Sequence, residues 1–199
     1  MKTMFFTLWL MLAVSGLYAG EAAVTGYTKV GPDDSPMETV YYKNGEQIAV
    51  GKYDKTGLEK IKGAELPEGR IIKYYPNGNV QAEQYKIKGK EIGTQKLYRM
   101  NGQKFYITNY DKTGIRAGKT SLYSKTGVLR AERNYKNGKL SGISKIYDEE
   151  GVLTIKTNYL DGKKDGVEEI YTHKSGLIVR KTYKLGKLVK EETARSVQP

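Results

Sequence analysis

The sequence predicts an all-β protein, with tandem β-hairpins laid side by side as one elongated, twisted, single-layer antiparallel sheet. Three observations carry this. Glycines and tyrosines recur at a spacing of 24 or 25 residues, within the range of repeat architectures. Asn-Gly and Asp-Gly pairs, which accept the backbone of hairpin turns, separate short runs rich in β-branched and aromatic residues. Hydrophobic residues form only 38% of the 199 residues, too few for a large buried α/β core.

The chain opens with Lys2 and an apolar run, Met4 to Val14, followed by Ser15, Gly16, Leu17, Tyr18 and Ala19. A basic start, a short apolar stretch and small residues are the plan of a secretory signal peptide. Cleavage is expected after Ala19, giving an exported protein: periplasmic, on the cell surface or released. The run falls short of the roughly 20 apolar residues that span a bilayer, and without any Cys a lipoprotein anchor is excluded. Residues 20–38, with Gly31-Pro32-Asp33-Asp34-Ser35-Pro36, read as a flexible lead-in.

The repeat occupies residues 39–190. Gly69, Gly93, Gly118, Gly142 and Gly166 each stand five residues before Tyr74, Tyr98, Tyr123, Tyr147 and Tyr171. Gly78, Gly102, Gly127, Gly151 and Gly176 follow, then a second tyrosine, at Tyr85, Tyr110, Tyr135, Tyr159 and Tyr183. Gly89, Gly114, Gly138, Gly162 and Gly186 close the units, and Tyr41, Gly45, Tyr53 and Gly57 form an earlier copy. Six copies make about twelve strands, roughly 55 Å along the stacking direction at the usual strand spacing. The insertion at 58–68 reads as a loop or an extra short strand, and residues 191–199 as a disordered tail. Because side chains alternate, the first tyrosines form a column on one face, with Leu97, Leu122, Ile146 and Ile170 on the other. The tyrosine columns are read as the packing ladder of the array.

The units Gly93-x4-Tyr98-x3-Gly102, Gly118-x4-Tyr123-x3-Gly127 and Gly142-x4-Tyr147-x3-Gly151 resemble the bacterial variant of the MORN repeat. Tyr135-Lys136-Asn137-Gly138-Lys139 and Tyr159-Leu160-Asp161-Gly162-Lys163 resemble its closing Tyr-x-x-Gly-Lys. The same repeat builds the YwqK-type antitoxin-like proteins. The resemblance implies tandem hairpins in an elongated sheet and a role as scaffold or binding surface. An export signal fits poorly with neutralising a cytosolic toxin.

Enzyme chemistry finds no foothold. With no Cys there is no thiol nucleophile, thiolate metal site or disulfide. The only histidine, His173, falls in a predicted turn, and Asp33-Asp34 and Asp148-Glu149-Glu150 read as exposed acidic turns. No catalytic, cofactor or metal residues are assigned, no small-molecule substrate is implied, and an exported protein is not expected to meet nucleic acid.

Charge is more informative. The chain carries 34 Lys and Arg against 22 Asp and Glu. One rim of the predicted sheet, residues 86–90, 111–119, 136–140, 161–165 and 184–190, holds thirteen cations and three acids. The opposite rim, residues 75–78, 99–102, 124–127, 148–151 and 172–176, holds three of each. Lysine in turns keeps sheet edges soluble, yet solubility does not require one-sidedness, and a basic stripe attracts anionic partners. The expected partner residues are Lys86, Lys88, Lys112, Arg116, Lys136, Lys139, Lys163, Lys164, Lys184 and Lys187. The resulting reading is an exported, non-enzymatic repeat scaffold that binds an anionic envelope surface or an acidic protein. The alternative is a secreted antitoxin-like protein that neutralises a toxin.

Overall fold

The computed structural model describes residues 24–195 apart from 31–35, 45, 55, 57–58, 64–66 and 173–175. The expected signal peptide, His173, Asp33-Asp34 and the last four residues of the expected tail lie outside the described residues. Sixteen strands form one open, twisted sheet, with no helix among the described residues. They are β1 (Val24–Val30), β2 (Pro36–Lys43), β3 (Glu46–Tyr53), β4 (Glu59–Gly63), β5 (Gly69–Tyr74) and β6 (Val80–Ile87). Then come β7 (Lys90–Tyr98), β8 (Lys104–Tyr110), β9 (Gly118–Tyr123), β10 (Leu129–Lys136) and the short β11 (Lys139–Leu140). The array ends with β12 (Gly142–Tyr147), β13 (Leu153–Leu160), β14 (Lys163–Thr172), β15 (Leu177–Lys184) and β16 (Lys187–Arg195).

From β5 to β16 the chain is the meander its sequence predicts, with β11 paired only to β10. The cross-strand register explains the motif. Gly93 faces Tyr110, Gly118 faces Tyr135, Gly142 faces Tyr159 and Gly166 faces Tyr183. In these four units the opening glycine is the direct cross-strand partner of the second tyrosine, whereas Gly69 faces Lys86 and Tyr85 faces Arg70. Two rows run across the faces as the alternation requires. Leu97, Tyr106, Leu122, Ala131, Ile146, Ile155, Ile170 and Val179 are successive partners in one row. On the other face the first tyrosines bond to carboxylates: Tyr98 to Glu83 at 2.6 Å, Tyr147 to Glu132 at 3.2 Å and Tyr171 to Glu169 at 2.9 Å. Burial and the Glu83 bond push the Tyr98 hydroxyl up to about 12.

The two rims use different turns. Lys88-Gly89, Asn137-Gly138, Asp161-Gly162 and Leu185-Gly186 have positive φ at both residues, the two-residue turn whose twist matches the sheet. The opposite rim has five-residue loops, 75–79, 99–103, 124–128 and 148–152. There Asn77 and Asn101 do not take the left-handed backbone expected of Asn-Gly turns. Their side chains instead accept from the backbone N–H two residues on, at 3.1 Å in both cases, and only the glycine is left-handed.

The N-terminal part departs from the sequence expectation. The lead-in contains β1, which lies between β2 and β5, antiparallel to the first and parallel to the second. The insertion contains β4 at the sheet edge, and the expected tail continues β16 as far as Arg195. The strand order β5-β1-β2-β3-β4 places Glu59 and Lys73 four strand spacings apart, about 19 Å in a flat sheet. Yet Lys73 Nζ meets Glu59 Oε2 at 2.7 Å. Two side chains cannot span the flat distance, so these five strands curl on themselves. They enclose Val24, Tyr41, Ala49 and Ile71, all at most 2% exposed. Small residues permit the curl. A Cβ at Gly26 would lie 2.9 Å from Thr39 Cγ2, and one at Gly51 would overlap the Glu59 carboxylate. Inside the curl Tyr41 donates to Glu59 Oε1 at 2.6 Å and Lys73 donates to the Tyr53 hydroxyl at 3.1 Å. Burial raises both tyrosine hydroxyls and lowers the Lys73 ammonium, against the opposing pull of Glu59 on Lys73.

Candidate functional site

From Arg116 to Gly186 the basic rim is joined by backbone hydrogen bonds. Gly138 N–H donates to the Arg116 carbonyl at 2.9 Å, Gly162 to Leu140 at 2.8 Å and Gly186 to Lys164 at 2.7 Å. Successive turns are therefore stitched together, each about 10 Å from the next because two strands intervene. The turn at 111–115 is the exception. It is a longer loop closed by Asp111 N–H to the Ile115 carbonyl at 2.8 Å.

Of the ten expected partner residues, seven stand as free charges. Lys88, Lys112, Lys136, Lys139, Lys163, Lys184 and Lys187 are exposed, and none has an ion pair among the described residues. The other three are engaged elsewhere. Arg116 lies over the Tyr135 ring at 4.9 Å. Burial disfavours its charge, but neighbouring tyrosine hydroxyls outweigh that and hold the guanidinium above its ordinary value. Lys164 is ion-paired with Glu168 and sits 4.8 Å over the Tyr183 ring. Burial would raise the Glu168 carboxyl, and the bond from Lys164 more than offsets it, so it is held low. Lys86 is half-buried and faces a groove on the sheet. Arg116 and Lys164 are structural cations, and only their partners' positions in the fold distinguish them from the rim lysines.

Two of the three acids of the same rim serve its turns, while Asp161 is exposed. Asp111 accepts from Thr113 N at 2.8 Å, Thr113 Oγ1 at 2.7 Å and Ile115 N at 3.0 Å, which holds its carboxyl below the usual range. Asp165 accepts from Leu185 N at 2.9 Å. On the opposite rim Arg99 lies over Phe105 at 4.5 Å and donates to the Tyr123 carbonyl at 3.2 Å. Asp148 there accepts from Val152 N at 2.7 Å, leaving Lys125 beside the exposed Glu149 and Glu150. Among the described residues no three metal-ligating side chains gather.

The family model described as the MORN repeat variant matches residues 67–85, 116–137 and 140–161. Those spans are the hairpins β5–β6, β9–β10 and β12–β13, and in the last two the opening glycine faces the second tyrosine. No curated protein matches the chain. In these three hairpins the array is similar to the MORN repeat variant.

Proposed function

We propose that this protein is an exported binding scaffold whose lysine rim docks onto an anionic envelope surface or an acidic protein. One observation carries the proposal: seven exposed lysines without ion pairs stand along one rim, where Asp111 and Asp165 are taken up by the backbone and Asp161 is the one exposed acid among the described residues. Rigid turns hold the charges in place, so binding does not first have to order them. The apolar run at residues 4–14 supports export. YwqK-type toxin neutralisation is a special case of this reading, in which the acidic partner is a toxin.

The test is binding of the protein to anionic and neutral vesicles, and to proteins recovered from the native envelope, at low and high salt. Binding to the anionic partner is expected to weaken as salt rises. Reversing the charge at Lys112, Lys136, Lys139 and Lys163 should abolish it while the circular dichroism spectrum is retained, since all four side chains are exposed. Unchanged binding by this variant, or salt-independent binding by the wild type, would leave the rim as a solubility device.

A further inference from the structure

A groove of about 720 Å³ runs where the N-terminal curl leans over the face of β6–β8. Its size lies in the range of small-molecule sites. Gln84 and Lys86 project into it from alternate positions of β6, on the same face of the strand. Gln84 is 5% exposed, and its Oε1 accepts from Gln95 Nε2 at 3.2 Å while its own Nε2 is buried with no acceptor. Lys86 is half-buried and forms no ion pair or hydrogen bond among the described residues. Its cross-strand neighbour Glu91 instead accepts from Gln95 at 3.3 Å. Burial, and then Lys73 nearby, push the Lys86 ammonium toward its neutral form. Two donors thus lie side by side on β6, and neither is bonded to an acceptor among the described residues. Such groups are costly unless something accepts from them.

The rest of the groove indicates what fits. Its charged lining is Lys73, Lys86 and Lys90 against Glu59 and Glu91, one cation in excess. Lys73 is already matched to Glu59. Farther along, Leu97 and Phe105 form an apolar wall. We propose that this groove is a binding site for a monocarboxylate with an apolar body, its carboxylate accepting from Lys86 and Gln84 and its body lying against Leu97 and Phe105. Gln84 Nε2 is covered in the empty groove, so the amide turns outward as the carboxylate enters. One negative charge neutralises the excess cation, whereas a dianion would leave a charge uncompensated. The groove adjoins the first turns of the lysine rim, with Gly89, Lys90 and Gly114 in its lining, but it uses none of the seven exposed rim lysines, and neither reading depends on the other.

The carboxylate belongs either to a free organic acid or to the C terminus of a peptide, and two arms of one titration distinguish them. The full chain is titrated with 3-phenylpropionate and with a short peptide ending in Ala-Phe, each against its primary amide, and followed by calorimetry and by NMR of the lysine side chains. Saturable binding of at least one carboxylate is expected, at least about tenfold tighter than its amide, with the tighter arm naming the source. Lys86→Gln should erase the preference for carboxylate over amide. Gln84→Leu should weaken binding severalfold while keeping or raising the melting temperature, because it removes a buried donor that has no acceptor. Lost binding in that variant is therefore not lost fold. Charge reversal of the rim lysines should leave carboxylate binding intact. The proposal is overturned if neither carboxylate binds better than its amide, or if both groove variants bind like the wild type.

Discussion

Replacing Glu59 with alanine is expected to destabilise the protein by about 3–5 kcal/mol, because it strands the Lys73 ammonium in the interior. The two side chains are 7% and 11% exposed, and Lys73 also lies 5.2 Å and 5.6 Å from the Tyr41 and Tyr53 rings. Water cannot replace the lost carboxylate at that depth, and Tyr41 loses its acceptor in the same step. The contrast is Lys181–Glu191, whose members are 28% and 49% exposed. Glu191→Ala should cost no more than about 1 kcal/mol, since solvent screens such a pair. Replacing both members of the buried pair, as Glu59→Leu with Lys73→Met, should recover most of the loss, because the cost lies in the unpaired charge more than in the missing bond. Denaturant titrations of the four proteins by circular dichroism check this. A Glu59→Ala cost near that of Glu191→Ala would mean that the curl is open to solvent.

A chain that begins at Pro36, without β1, should lose the fold of β2–β4 while keeping that of β9–β16. Among the described residues β1 is the only strand that joins β2 to β5, with a register of six residue pairs on one side and four on the other. It also brings Val24, 1% exposed, into the core. Removing it leaves β2–β4 as an isolated three-stranded piece with half a core, at the limit of independent stability. The distal hairpins contact only their neighbours in the order of the sheet, so their stability is local. Hydrogen exchange resolved by peptide would show fast exchange over residues 36–63 and unchanged protection over 118–195. Protection retained over 36–63 would contradict the central place given to β1.

The array was legible in the sequence because its signals are local and repeated. In the four units that open at Gly93, Gly118, Gly142 and Gly166 the second tyrosine faces the opening glycine, so spacing along the chain translates directly into register across the sheet. The curl was not legible, because its contacts cross many residues and occur once. Val24, Gly26 and Thr28 do alternate inward as a strand should, but Gly31-Pro32-Asp33-Asp34 directly after them gives the stronger turn signal. Glu59 and Lys73 look like surface charges until five strands curl and bring them together. The rim was found as a stripe, and its chemistry only in part. Arg116 and Lys164 differ from Lys112 and Lys163 through Tyr135, Tyr183 and Glu168, partners supplied by neighbouring strands. The aspartates counted against the stripe, Asp111 and Asp165, turned out to cap its own turns.

The central claim, that one rim meets the partner, is tested most directly by lysine labelling of the wild-type protein with and without anionic vesicles at low salt. Acetylation rates, read site by site by mass spectrometry, should fall severalfold at Lys112, Lys136, Lys139, Lys163, Lys184 and Lys187. They should be unchanged at Lys104 and Lys125, which are exposed away from that rim. Equal protection at all exposed lysines, or protection centred on Lys125, would contradict the account.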